Sequence, residues 1–238
     1  MPPSPPSFAA GFPGLVLLGA LLNLDRQVFG PFMLGRPLVA GLILGLAAGQ
    51  ADFGIWLGLS AELLWLAAMP LGGQITPNAG LAVSAAFIAW AQSGWVADAE
   101  GWFVQATLVI AFLTVPGWAK AMGLIDLACR RLIPPVLARV RADLAGGREP
   151  RFTRRNLYGL LFNLLLSGAV LAAAAFINIQ VIGAAASLAP RAVLENLGFI
   201  FKLLPFAGLL GMAVFLEARI FPFYLGGLLA SLLALSAV

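Results

Sequence analysis

Residues 51–80 read ADFGIWLGLSAELLWLAAMPLGGQITPNAG and set an ionisable side chain in the middle of an apolar, membrane-length run. Glu62 is flanked by Ile55, Trp56, Leu57, Leu59, Leu63, Leu64, Trp65 and Leu66. In hydrocarbon one charged group costs roughly 3 kcal/mol on insertion scales, so the acid needs a compensating role. Two roles answer this: a structural hydrogen bond to a partner helix, or a polar ligand or ion held near the midplane. As a helix, Asp52 to Met69 would run about 27 Å and nearly cross the hydrocarbon core, with Glu62 near its centre. Pro70, Gly72, Gly73 and Pro77 then prevent a continuous helix, while Gln74, Thr76 and Asn78 place donors and acceptors directly after the acid.

Working outward, composition fixes the class. With 61% hydrophobic residues, 10% charged residues and a mean hydropathy of +0.98, the 238-residue chain does not fold around one soluble core. The expectation is an all-α, polytopic integral membrane protein forming a single transmembrane domain over residues 1–238. The net charge of +4 does not point to nucleic acid, because the basic residues concentrate in one block. Cys129 is the single cysteine, which excludes an internal disulfide framework and a cysteine metal site. The chain has no histidine, so the usual proton shuttle, the commonest metal ligand and any phosphohistidine are missing. No catalytic residue, cofactor or metal is implied, and phosphoryl chemistry has to sit on another subunit.

In chain order, residues 1–14 read as a proline-rich irregular tail without the charged start of a secretory signal. Leu15 to Leu24 and Leu38 to Gly49 are apolar but too short to span alone, separated by a polar break with Asp25, Arg26, Gln27 and Arg36 around Gly30, Pro31 and Pro37. Two half-length elements in succession predict broken or re-entrant helices. Leu81 to Ala91 is rich in small residues suited to close helix packing. Trp90, Trp95 and Trp102, with Asp98 and Glu100, read as an interfacial belt and an acidic outer loop. Phe103 to Trp118 is the next crossing. Nine of the fourteen basic residues follow (Lys120, Arg130, Arg131, Arg139, Arg141, Arg148, Arg151, Arg154 and Arg155), and residues 126–155 are expected to form a cytoplasmic loop. Its basic heads suit anionic lipid or an acidic partner, besides setting topology.

Three apolar segments close the chain: Asn156 to Ile182, Leu197 to Leu216 and Ile220 to Ala237. Lys202 and Glu217 lie near the ends of the second and read as packing or anchoring positions. PLGG at Pro70 to Gly73 and PFYLGG at Pro222 to Gly227 each follow an acid, Glu62 or Glu217. Inverted repeats of the kind found in transporters would explain this, and so would chance similarity of two Leu/Gly-rich segments.

From Arg36 to Ala82 the sequence resembles the IIC membrane subunit of the mannose/fructose/sorbose family of the sugar phosphotransferase system. The resemblance rests on Arg36-Pro37-Leu38, Gly45 and Gly49, Gly58 with Glu62, and Pro77-Asn78-Ala79, in that order. Leu24-Asp25 and Phe221-Pro222-Phe223-Tyr224-Leu225-Gly226 also look like family segments. Asn78 stands where the family commonly has an acid, Pro70 where it is often polar, and the Asp25-to-Arg36 spacing is longer than usual.

The resemblance implies a sugar permease subunit in a bacterial inner membrane. It would pair with a IID membrane subunit, as trimers of heterodimers with a mobile core and a static scaffold, and be served by cytoplasmic IIA and IIB phosphocarriers. Its substrate would be a hexose of the mannose class, held by Glu62, Gln74, Thr76, Asn78 and Asp25. A carboxylate accepts two charge-assisted hydrogen bonds from adjacent sugar hydroxyls, and the neutral groups fill the remaining directions. Other classes stay open: an ion-coupled transporter using Glu62 as proton carrier, an intramembrane enzyme using it as acid or base, and a regulatory or sensory membrane scaffold. The enzyme is the weakest of these, since one acid without histidine or metal is a poor catalytic set.

Overall fold

The computed structural model describes residues 11–26, 32–65, 76–94, 100–131, 133–147, 149 and 152–206. Among these, every regular element is a helix: α1 (Phe12–Leu24), α2 (Pro37–Ala47), α3 (Ala51–Trp65), α4 (Ala79–Ala91), α5 (Gly101–Arg131), α6 (Ile133–Ala145), α7 (Phe152–Leu188) and α8 (Arg191–Phe201). At 1.5 Å per residue α1, α2 and α4 reach only about 16–20 Å each, short of a hydrocarbon core of about 30 Å, whereas α5 and α7 exceed it. The half-length α1 and α2 match the two short apolar pieces read in the sequence.

α4 is the axis. From Ala79 to Trp90 every one of its residues is buried, and α1, α2, α3, α5 and α7 all pack on it. Its run of alanines lets neighbours come close on all sides, with Phe87 and Trp90 filling the wider end. Trp90 packs against Phe53 of α3 with its ring tilted at 52° and the centroids 4.9 Å apart, and donates its indole N–H to Thr107 of α5 at 3.1 Å.

α2 and α3 form a hairpin whose backbones touch. α2 ends in a left-handed glycine, Gly49 (φ +70°), with Gly49 N–H donating to the Leu46 carbonyl and Gln50 N–H to the Gly45 carbonyl. This double bond closes the C-terminal carbonyls and turns the chain straight back into α3. A side chain at Gly41 or Gly54 would overlap the other's carbonyl oxygen, and a Cβ at Gly58 would lie 2.6 Å from the Pro37 carbonyl. The glycines at 41, 45, 54 and 58 thus make a small-xxx-small seam on both helices.

Several sequence boundaries shift. The tail assigned to residues 1–14 loses its end to α1, which starts at Phe12 because Pro13 fits a first helical turn, where its missing N–H has no intrahelical partner anyway. The crossing expected from Phe103 to Trp118 continues past Trp118 to Arg131, with Pro116 inside it. Pro116 faces outward, and a membrane helix tolerates the broken backbone bond when the ring meets no packed neighbour. The stretch 126–155, expected as a loop, is mostly helix: the end of α5, all of α6 and the start of α7. α7 extends the expected Asn156–Ile182 segment at both ends. Pro70 to Gly73, Trp95, Asp98, Glu217 and Pro222 to Gly227, and with them the repeat comparison, lie outside the described residues.

Candidate functional site

The segment from Asp25 to Arg36 joins α1 to α2 and carries an arginine near each end. Asp25, buried at the end of α1, folds the close of this segment by accepting the backbone N–H of Phe32 at 2.9 Å and of Gly35 at 3.4 Å. Met33 there adopts φ 64°, a left-handed conformation unusual for a side-chain-bearing residue. Gly35 then meets α4 directly, since any side chain on Gly80 would collide with the Gly35 carbonyl.

Arg36, at the far end, reaches Glu62 on α3. Its Nη1 donates to Glu62 Oε1 at 2.7 Å, and the Leu38 backbone N–H donates to Oε2 at 3.4 Å. Pro37 opens α2 and has no N–H, so the carboxylate sits against the unsatisfied amide of the first turn, where the helix dipole favours negative charge. The Glu62 side chain is 15% exposed and that of Arg36 49%. The acid picked out by the sequence is therefore ion-paired and helix-capping, with the guanidinium on the open side.

Arg26, at the near end, reaches the opposite way. Its Nε donates to Asp126 Oδ2 on α5 at 2.6 Å, and its Nη2 donates to the Thr76 hydroxyl at 2.7 Å and the Thr76 carbonyl at 2.9 Å. Asn78 caps α4 by accepting the Leu81 N–H at 3.2 Å, and its amide donates to Asn23 Oδ1 at 2.8 Å and, at a long 3.5 Å, to Asp126 Oδ1. The Asn78 backbone N–H also donates to the Ala119 carbonyl of α5 at 2.8 Å. From Asn23 the network continues into α7: its amide donates to Ser167, whose hydroxyl donates to Asn163, whose amide in turn donates to the Cys129 sulfur of α5.

Two acid–arginine pairs thus stand at the described edges of the connection between α3 and α4: Glu62–Arg36 near the end of α3, and Asp126–Arg26, with Thr76 and Asn78, just before α4. Of the residues singled out in the sequence, Thr76 and Asn78 meet in one network, Asp25 folds the segment that supplies both arginines, and Glu62 belongs to the other pair. Gln74 lies outside the described residues. Asp126, Asn23, Asn163 and Ser167 went unrecognised as members of a site. The signal for Asp126 was the one that exposed Glu62, an acid between Ile125 and Leu127, and the arginines just after it disguised it as the start of a loop.

Comparison with known families settles what kind of protein carries this arrangement. The family described as the PTS system sorbose-specific IIC component matches residues 14–238. The chain belongs to that family. As a IIC component it is a transmembrane sugar-permease subunit of a phosphotransferase system, working with that system's other components. A solved structure titled "Structure of membrane protein" has a similar fold, with a TM-score of 0.58 and 18% identity over 97% of this chain and 92% of that one. This IIC component is thus an all-α membrane protein. Comparison with curated proteins gives no match.

Proposed function

We propose that this IIC component binds a hexose of the mannose class beside the connection between α3 and α4 and carries it across a bacterial inner membrane as a multi-pass permease. A IID membrane subunit completes the permease, in trimers of heterodimers, and cytoplasmic IIA and IIB proteins supply the phosphoryl group. The observation that carries the reading is the pair of acid–arginine contacts on either side of that connection. A sugar hydroxyl both donates and accepts, so a guanidinium beside a carboxylate offers matching partners within one reach. Arg36, half exposed next to Glu62, is the open member; Thr76 and Asn78, fixed by Arg26 and Asp126, hold the other side, with Gln74 and Asp25 in the segments that adjoin them. The absence of histidine fits a chain whose phosphoryl carrier is a partner. The arginine-rich stretch 126–155 faces the cytoplasm, where those carriers are.

Glu62→Gln tests the site. The amide keeps the side chain's shape and an acceptor for Arg36 but removes the charge, so sugar affinity should fall by about 1.5–3 kcal/mol, on the order of ten- to a hundredfold. Assembled protein should persist at normal yield. Glu62→Ala should lose more affinity, and it also uncaps α2. Binding assays on the purified complex, beside its yield, decide the matter. Unchanged affinity at normal yield would sink the sugar-site assignment, and intact binding with lost coupling to a proton gradient would move Glu62 to proton carriage.

A further inference from the structure

α6 buries none of its residues. Ile133, Val136, Leu137, Val140 and Leu144 recur at the spacing of one helix face, and four of them (Ile133, Val136, Leu137 and Leu144) are exposed large hydrophobics. At about 100° per residue, Arg139 and Arg141 fall on the two flanks of that stripe, both exposed, and neither makes an ion pair with a described residue. Ala142 marks the opposite face.

The surroundings say what covers this face. α6 lies between α5 and α7, which among the described residues are the two helices long and apolar enough to cross a membrane. α5 finishes on Arg130 and Arg131, and α7 opens with Arg154 and Arg155. Asp143 of α6 accepts from Arg155, which ties α6 back to the first turns of α7. Phe152, Leu157 and Tyr158 near the start of α7 are exposed as well, with Arg154 donating to the Tyr158 hydroxyl at 2.8 Å. Residues 130–155 hold eight arginines against Asp143 and Glu149. An acidic protein would complement the charge but leaves the apolar stripe unexplained; a bilayer surface complements both, taking the stripe among acyl chains with cations at phosphate depth.

We infer that α6 is an interfacial helix that lies on anionic phospholipid, its Ile133–Leu144 stripe sunk among the chains and Arg139 and Arg141 on the headgroup phosphates. The test uses the full chain, co-expressed with a cysteine-free form of the membrane partner proposed above, with the chain's single cysteine removed as Cys129→Ala and a neutral, environment-sensitive fluorophore placed through Leu137→Cys or, as the opposite-face control, Ala142→Cys. Should Cys129→Ala fail to fold, Cys129→Ser keeps an acceptor for the Asn163 amide. In nanodiscs of phosphatidylcholine with one third phosphatidylglycerol, spin-labelled acyl chains should quench the probe at 137, and acrylamide should quench it severalfold less than the probe at 142. In phosphatidylcholine alone, and with Arg139→Gln and Arg141→Gln together, that protection should be largely lost. Equal acrylamide access at 137 and 142 in anionic discs would overturn the inference. So would protection indifferent to phosphatidylglycerol and to the arginines, or protection that arises only when a soluble acidic protein is added to the discs.

Discussion

Asp126 holds Arg26 at 2.6 Å with only 4% of its own side chain exposed, and the same carboxylate faces the Asn78 amide. A charge so placed is tolerated because a guanidinium and an amide share it; removing it leaves Arg26 uncompensated beside Thr76. Breaking a buried pair from one side costs about 3–5 kcal/mol. Asp126→Ala is therefore expected to lower the thermal midpoint of the purified protein by several degrees and to weaken sugar binding, since Thr76 and Asn78 lose their anchor. Asp126→Asn, which keeps an acceptor for Arg26, should do less of both. Thermal melts beside binding assays check this; an Asp126→Ala protein as stable as its parent would show that the pair does not hold the site. The contrast with Glu62 is one of surroundings, because Arg36 is half exposed and water or a ligand can replace part of what that pair supplies.

Elements were legible where the sequence carries a physical stop. The short helices α1 and α2 follow from their proline and glycine borders, and Gly49, in the left-handed turn, ends α2 about where the apolar run does. Pro116 did not end the expected crossing and does not end α5, because an outward-facing proline in a long membrane helix is tolerated. Pro134 and Pro135, with the surrounding arginines, hid α6, whose helix shows only in the spacing of its apolar residues. The polar network was legible residue by residue but not as a network: Asn23, Asn78 and Asn163 lie far apart in the chain, and only the packing of α1, α4 and α7 brings them together. The glycine seam allows a sharp test at this scale. Gly54→Ala adds one methyl against the Gly41 carbonyl, and with backbone on the other side α2 and α3 have to separate. Overpacking of this kind costs about 1–3 kcal/mol, and Gly54→Val should exceed Gly54→Ala. Gly49→Ala meets no neighbour but strains a φ of +70°, so its smaller penalty serves as the comparison. Detergent stability measured across the three variants gives the order, and a neutral Gly54→Val would refute the close seam.

Taken whole, the molecule puts short helices with polar ends beside long apolar ones, and the short ones have to be covered. α7 presents Leu157, Leu165, Phe176, Ile177 and Val181 outward, a surface that lipid satisfies without further structure. Arg36 is a different case: a guanidinium 49% exposed, paired with an acid on α3, at the start of α2, a helix too short to cross the bilayer by itself. Facing hydrocarbon, such a pair would cost several kcal/mol, so protein or a water-filled cavity has to lie against it. In the proposed complex a IID-type subunit would supply that cover. The expected outcome is that the chain expressed alone gives little monodisperse protein and binds no sugar, and that co-expression with its membrane partner restores both. Size-exclusion profiles and sugar titrations with and without the partner measure it. Arg36→Leu together with Glu62→Leu separates two reasons for dependence: if covering the ion pair is what the partner does, the double variant should gain stability alone while losing sugar binding in the complex, because an apolar pair no longer needs cover. A wild-type chain that is folded, monodisperse and sugar-binding by itself would show that α1 to α4 already enclose their polar ends.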